Sequence, residues 1–184
     1  MNPVLARVKR AGALLGLLLV VVLAGPARAT VDGASESGFQ VTETVHVTAT
    51  PAAVYALLIV PSRWWDPVHT YSQNASNLSL DARAGGCWCE SLPDGGSVLH
   101  MTVVNVRPDH LLRLRGALGP LQGMAVEGAM TFVLMPASGG TDVVLTYTVG
   151  GYAKDGFVTL ADAVDKVLAE QISRLKQSVE ATPK

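Results

Sequence analysis

The chain has 184 residues, 49% of them hydrophobic, with a formal net charge of −1 and two cysteines. That length supports one domain with a substantial core. Beyond residue 29, 10 Lys and Arg stand against 15 Asp and Glu, a net charge of −5, which offers no electrostatic footprint for nucleic acid or anionic lipid.

Arg7, Lys9 and Arg10 form a basic head, followed by an uncharged apolar run from Ala11 to Ala24 and the small-residue triplet Ala27-Arg28-Ala29. This is the pattern of a secretory signal peptide, residues 1–29, cleaved after Ala29. The run is short for a membrane span, so the mature chain is expected to carry no stable one and to be periplasmic or secreted. Residues 30–38 are small and polar and read as a disordered lead-in to a domain over 39–180.

Phe39 to Val47 alternates, with Phe39, Val41, Val45 and Val47 on one face and Glu43 as that face's single polar member; it reads as a strand. Thr50 and Pro51 suit the N-cap and first position of a helix with Val54, Tyr55, Leu57 and Leu58 inside. Pro61 ends it, and Pro61 to Pro67 reads as a second short helix or turn carrying Trp64 and Trp65. Leu78 to Ala82 is a short strand. Cys87–Leu92 and Ser97–Arg107 form a hairpin around Pro93-Asp94-Gly95-Gly96, where glycine supplies the positive φ that tight turns need. Leu111–Leu118 is a further strand, and Ala125–Met135 pairs with Thr141–Val149 around Ser138-Gly139-Gly140. A long helix follows. Phe157, Leu160, Ala161, Val164, Leu168, Ile172, Leu175 and Val179 recur at spacings of three and four, with Asp155 and Gly156 placed to cap its start.

Cys87 and Cys89 are one residue apart. On a regular strand their Cα atoms would lie about 6.5–7 Å apart, at the limit of disulfide geometry. Free thiols or a labile bond are expected, not a structural bridge.

This order of elements resembles the START-like (SRPBCC) superfamily, the helix-grip or birch-pollen-allergen fold that includes polyketide cyclase/dehydrase-type proteins. Thr50-Pro51-Ala52-Ala53-Val54-Tyr55 looks like its first helix and Pro61-Ser62-Arg63-Trp64-Trp65 like its tryptophan-bearing second. Gly85-Gly86 with Trp88 and Asp94-Gly95-Gly96 resemble its third-strand hairpin. Val106 to Leu112 resembles the turn into the fifth strand, and Gly140-Thr141 with Leu145-Thr146-Tyr147 the last strand. The resemblance implies an α+β fold: a curved antiparallel sheet of six to seven strands around a long C-terminal helix, with two short helices after the first strand. It also implies a cavity between sheet and helix for an apolar or amphipathic molecule. The superfamily shares a fold but not one activity.

Several residues could carry chemistry. If the hairpin closes on Asp94-Gly95, Cys89 falls opposite His100 and Cys87 opposite Thr102, close enough for a thiol–imidazole dyad; a bulge would shift the register by one and break the pair. The plainer reading makes both cysteines small buried residues. A metal set of Cys87, Cys89 and His100 lacks a fourth ligand and the usual spacing, so no metal and no cofactor is expected. Either Trp88 and Glu90 or Cys87 and Cys89 face the cavity; facing in, Glu90 is a cavity carboxylate able to act as acid or base. Trp64, Trp65, His69 and Tyr71 gather where such a cavity has its rim, and Gly150, Gly151 and Gly156 make a hinge around Tyr152. Trp64, Trp65, Trp88, Met101, Tyr147, Tyr152 and Leu168 are the candidate ligand contacts. The leading expectation is binding of a small hydrophobic or amphipathic ligand. A cyclase, dehydratase or hydrolase using Cys89–His100 or Glu90 is the alternative, and a module contacting envelope proteins a second one.

Overall fold

The computed structural model describes residues 28–182. The expected leader lies outside the described residues except for Arg28 and Ala29. These open β1 (Arg28–Ala34), an edge strand paired antiparallel with β2 (Gly38–Val47). The expected disordered lead-in is therefore partly strand. Val31, opposite Val41, packs on the core, while the Asp32 carboxylate outside accepts from Thr42 and Gln40.

Helix α1 (Pro51–Leu58) starts as its sequence implies: Thr50 Oγ1 accepts from the Ala53 N–H at 3.3 Å, and Pro51 needs no partner at the first turn. The expected second short helix or turn is a pair of 3-10 turns, Pro61–Arg63 and Pro67–His69. Then come β3 (Leu78–Leu80), β4 (Cys87–Ser91), β5 (Ser97–Arg107) and β6 (Leu111–Arg115). β7 (Ala125–Ala137), β8 (Gly140–Tyr152) and α2 (Val158–Glu180) complete the fold. The sheet order is β1-β2-β8-β7-β6-β5-β4-β3 with antiparallel pairing throughout. β1 makes eight strands of the expected six to seven, and the α+β helix-grip architecture stands.

One face of the sheet is apolar and packs against α2. Phe39, Val41, Val45 and Val47 from β2, Leu112 and Leu114 from β6, and Phe132 and Leu145 from β7 and β8 are all buried. From α2, Ala161, Leu168, Ile172, Leu175 and Val179 meet them. Each such large aliphatic side chain contributes about 1.5–3 kcal/mol on burial. Leu160 and Val164, expected on that stripe, are only partly buried and turn toward a neighbouring groove. Asp155 does not cap α2. Phe157 occupies that place without a side-chain cap, and its carbonyl accepts from the Ala161 N–H at 2.8 Å.

The β4–β5 hairpin departs from its expected register. Ser91 pairs with Ser97, Glu90 with Val98 and Cys89 with Leu99; beyond a bulge, Trp88 pairs with Met101 and Cys87 with Thr102. The loop near the turn is thus one residue longer than read, with Gly95 at φ +84°. His100 is the extra residue of the bulge, and it and Met101 both turn inward. Beside the bulge the Cys87–Cys89 Cα separation is 5.5 Å, and the two form a disulfide. Of the two expectations, free thiols or a labile bond, the free thiols do not hold: the hairpin is not regular there and the cysteines are bonded.

Candidate functional site

The site grows from an aromatic pile. Trp64, Trp65 and Trp88 lie 3%, 6% and 3% exposed. Trp65 meets Trp88 edge-on with centroids 4.9 Å apart, and Trp64 touches Trp65, Trp88 and Phe132 at 5.5–6.4 Å. Such edge-to-face pairs add to the apolar burial. They fill the space between sheet and helix beneath α1, so the open volume is displaced to the mouth of the fold.

There a cleft of ≈ 450 Å³ opens between three walls, within the usual range for a small-molecule site. The first wall is the segment after α1: Trp65, Val68, His69, Thr70 and Tyr71. The second is the loop between β6 and β7, from Leu118 to Leu121. The third is the first half of α2: Leu160, Ala163, Val164, Val167 and Leu168. Helix α2 therefore has two apolar stripes, one for the sheet and one, rotated toward the loops, for the cleft.

Both loops are held in place by buried polar groups. Glu90, 1% exposed, accepts from the Tyr71 N–H at 3.1 Å, the Ser72 N–H at 2.5 Å and His100 Nε2 at 2.9 Å. Because an ionised carboxylate only accepts, His100 carries its proton on Nε2 here. Burial pushes the Glu90 pKa up, but the hydrogen bonds from Ser72, Tyr71 and His100 outweigh it and hold the carboxyl below its ordinary value. Burial holds the His100 imidazole below its ordinary value despite Glu90. The other end of the same wall is fixed to α2. The Asp66 N–H donates to Gln171 Oε1 at 2.7 Å, and Asp66 pairs with Arg174 at 3.0 Å.

The second wall rests on Tyr147, fully buried, whose hydroxyl donates to the Gly116 carbonyl at 3.1 Å and accepts from the Leu118 N–H at 3.3 Å. Burial pushes that hydroxyl's pKa up. Its ring lies over Gly128, where any Cβ would meet it at 2.5 Å. Tyr71 then bridges the two loops, its hydroxyl donating to the Gly119 carbonyl at 2.8 Å.

Of the residues singled out in the sequence, Trp65 and Leu168 line the cleft together with His69 and Tyr71. Trp64, Trp88, Met101 and Tyr147 sit in the core behind it. Tyr152 is 69% exposed at the end of β8, outside the cleft. Trp88 and Glu90 are the pair that faces inward, with Cys87 and Cys89 outward. The Cys89–His100 dyad does not form: the bulge moves Cys89 opposite Leu99, its sulfur is in the disulfide, and His100 bonds Glu90 instead. The disulfide also removes the cysteines as metal ligands. The loop at Leu118–Leu121 and the stripe Leu160–Ala163–Val164–Val167 were missed. Two leucines in a Gly-Pro loop and apolar residues beyond one helix face were their signals.

A further buried group lies apart from the cleft. Glu43 of β2 is 0% exposed, and neither carboxylate oxygen has a hydrogen-bond donor. It faces Asp165, which interrupts the apolar stripe of α2 as Glu43 interrupts that of β2. Burial, then the charge of Asp165, raises the Glu43 pKa from 4.5 to about 8. The protonated acid can donate to Asp165.

Solved structures share this architecture. A protein from Mesorhizobium loti matches 79% of this chain and 99% of its own at a TM-score of 0.59 with 17% identity. One from Rhizobium leguminosarum matches 80% and 98% at 0.56 with 21% identity. The di-domain ARO/CYC BexL of the BE-7585A biosynthetic pathway matches 81% of this chain and 52% of its own at 0.53 with 19% identity. At these identities the likeness is one of fold. Among curated proteins, none matches the chain in sequence. Residues 38–180, the whole of the domain from β2 to the end of α2, match one family along their length, and the chain belongs to it: polyketide cyclase / dehydrase and lipid transport.

Proposed function

We propose that this protein binds a small hydrophobic or amphipathic molecule in the cleft between α2 and the two loops. The observation that carries the reading is the cleft itself: ≈ 450 Å³, walled largely by aliphatic and aromatic side chains and already shaped by buried hydrogen bonds. Preformed apolar concavities with few polar groups are what small-molecule sites look like. The family's description, which joins cyclases, dehydrases and lipid transport, agrees with it.

A cyclase-type reaction is the second reading, and Glu90–His100 favours it, since a carboxylate orienting an imidazole is a common acid–base arrangement. Both groups are nearly hidden, however, and Glu90 already accepts three hydrogen bonds. Their work as seen is to hold the cleft's first wall. In the binding reading the domain acts after export, which is supported by the leader pattern and by a disulfide suited to an oxidising compartment.

The test is native mass spectrometry of the protein from its own host, with an Ala163→Trp variant alongside. Ala163 lines the cleft but is exposed, so the larger side chain fills the site at little cost to the core. A discrete added mass, lost on denaturation and absent from the variant, is the expected result. Equal retention by both proteins would move the ligand elsewhere and overturn the assignment of the cleft.

A further inference from the structure

Of the polar side chains lining the cleft, Trp65, Thr70 and Tyr71 are hydrogen-bonded inside the protein. The Trp65 indole N–H donates to the His69 carbonyl at 3.1 Å. The Thr70 hydroxyl donates to the Pro67 carbonyl at 2.7 Å and accepts from the Asn74 N–H at 3.0 Å. The Tyr71 hydroxyl is engaged with Gly119. Among the described residues no Lys or Arg lines the cleft. Arg174, beside the first wall, is spent on the Asp66 carboxylate and on the Trp64 carbonyl, each at 3.0 Å. The cleft's one basic side chain, His69, faces the Glu170 carboxylate at 3.6 Å.

A carboxylate or phosphate drawn into this cleft would leave water and find no free cation, with Glu170 and Asp66 already beside the first wall. Burying an anion without a partner is far more costly than burying a hydroxyl or carbonyl. A residual net charge of −5 beyond residue 29 adds a repulsive field. An apolar skeleton bearing hydroxyl or carbonyl oxygens incurs neither cost.

We infer that the cleft selects electrically neutral ligands, apolar molecules carrying at most hydroxyl or carbonyl oxygens on the part they bury, and discriminates against carboxylates and phosphates. This rests on the binding role proposed above and names its ligand class.

Matched pairs test it by calorimetry at neutral pH: 2-naphthol against 2-naphthoate, and 1-decanol against decanoate. The neutral member of each pair binds at least about tenfold more tightly. The Ala163→Lys variant places an ammonium on the exposed part of the wall. It narrows or reverses the ratio by strengthening carboxylate binding relative to alcohol binding in the same variant. If the unaltered protein binds the carboxylates as tightly as the alcohols, the inference is overturned while the binding role stands. If no member of either pair binds, the mass of the co-purified ligand decides. A neutral molecule supports the inference, and an acid or phosphate overturns it. No bound molecule at all removes the binding role and the inference together.

Discussion

Glu43 on β2 and Glu90 on β4 both point inward from the sheet and are hidden from water, at 0% and 1% exposure. Glu90 is surrounded by donors: two backbone N–H groups from the segment after α1 and the imidazole of His100. Glu43 has none and looks across at Asp165. Burial alone raises both pKa values; at Glu90 the donors reverse the result and at Glu43 nothing does. Depth therefore does not decide what a buried carboxyl becomes. Its donors do. Glu90 is an anion that organises one wall of the cleft. Glu43 is best accommodated as a neutral acid, able to bridge β2 to α2 through Asp165.

The largest effect expected from this contrast follows Glu90→Ala. It leaves the Tyr71 and Ser72 N–H groups and His100 Nε2 without their acceptor. Stranded buried donors cost about 1–3 kcal/mol each, and breaking a buried charged network costs about 3–5 kcal/mol. Urea unfolding should lose stability in that range, and ligand binding should weaken with it, because Tyr71 is no longer fixed at the cleft. A loss below about 1 kcal/mol would mean that these bonds do not anchor the wall.

Glu43 gives a smaller effect, distinguished by its sign in pH. Its folded pKa of about 8 exceeds the ordinary 4.5. Its contribution to stability is therefore complete below pH 4.5 and is lost as pH rises toward about 8. Glu90 and His100 act oppositely. Both are held below their ordinary values of 4.5 and 6.5, so their contributions are lost on acidification. Well above pH 6.5 and up to about 8, where the unfolded imidazole has also lost its proton, Glu43 is the one of the three whose folded and unfolded protonation differ. Stability should fall there with a slope of at most about 1.4 kcal/mol per pH unit. Glu43→Leu should abolish the slope and leave the protein as stable or more so at the alkaline end, since a well-packed apolar residue replaces an unpartnered acid. A slope that survives the substitution would assign it to other groups.

The fold was legible wherever local pattern and final environment agree. The alternation of β2, the Thr50-Pro51 start of α1 and the sheet-facing stripe of α2 each carry their own signal. β1 does not, because Val31 is almost alone among small and polar residues and the strand exists through its pairing with β2. The bulge at His100 was also illegible. Its stabilising contact is between His100 and Glu90, ten residues apart in sequence and on different strands, so a turn-based register could allow for a bulge but not place it. From that one shift came the errors at Cys89. Glu43 itself was visible as the break in an apolar face. Its partner Asp165 was not, because a charge on a mostly apolar helix face reads as a solvated one until the helix is docked.

The smallest effect asks what holds the bulge. The Cys87–Cys89 bond lies on the outer side of β4, opposite to Glu90 on the same strand. It closes a loop so short that the chain-entropy gain is only about 1.5 kcal/mol. If the donors around Glu90 set the β4–β5 register, Cys87→Ser with Cys89→Ser should lower stability by about that amount. The His100 imidazole resonances should then stay where they are in the oxidised protein. If the disulfide sets the register instead, His100 should slip to the regular pairing opposite residue 89, its signals should move, and the Tyr71 and Ser72 N–H groups should exchange faster. The two outcomes separate a bulge imposed from outside the sheet by a covalent bond from one drawn in by a buried carboxylate seeking a donor.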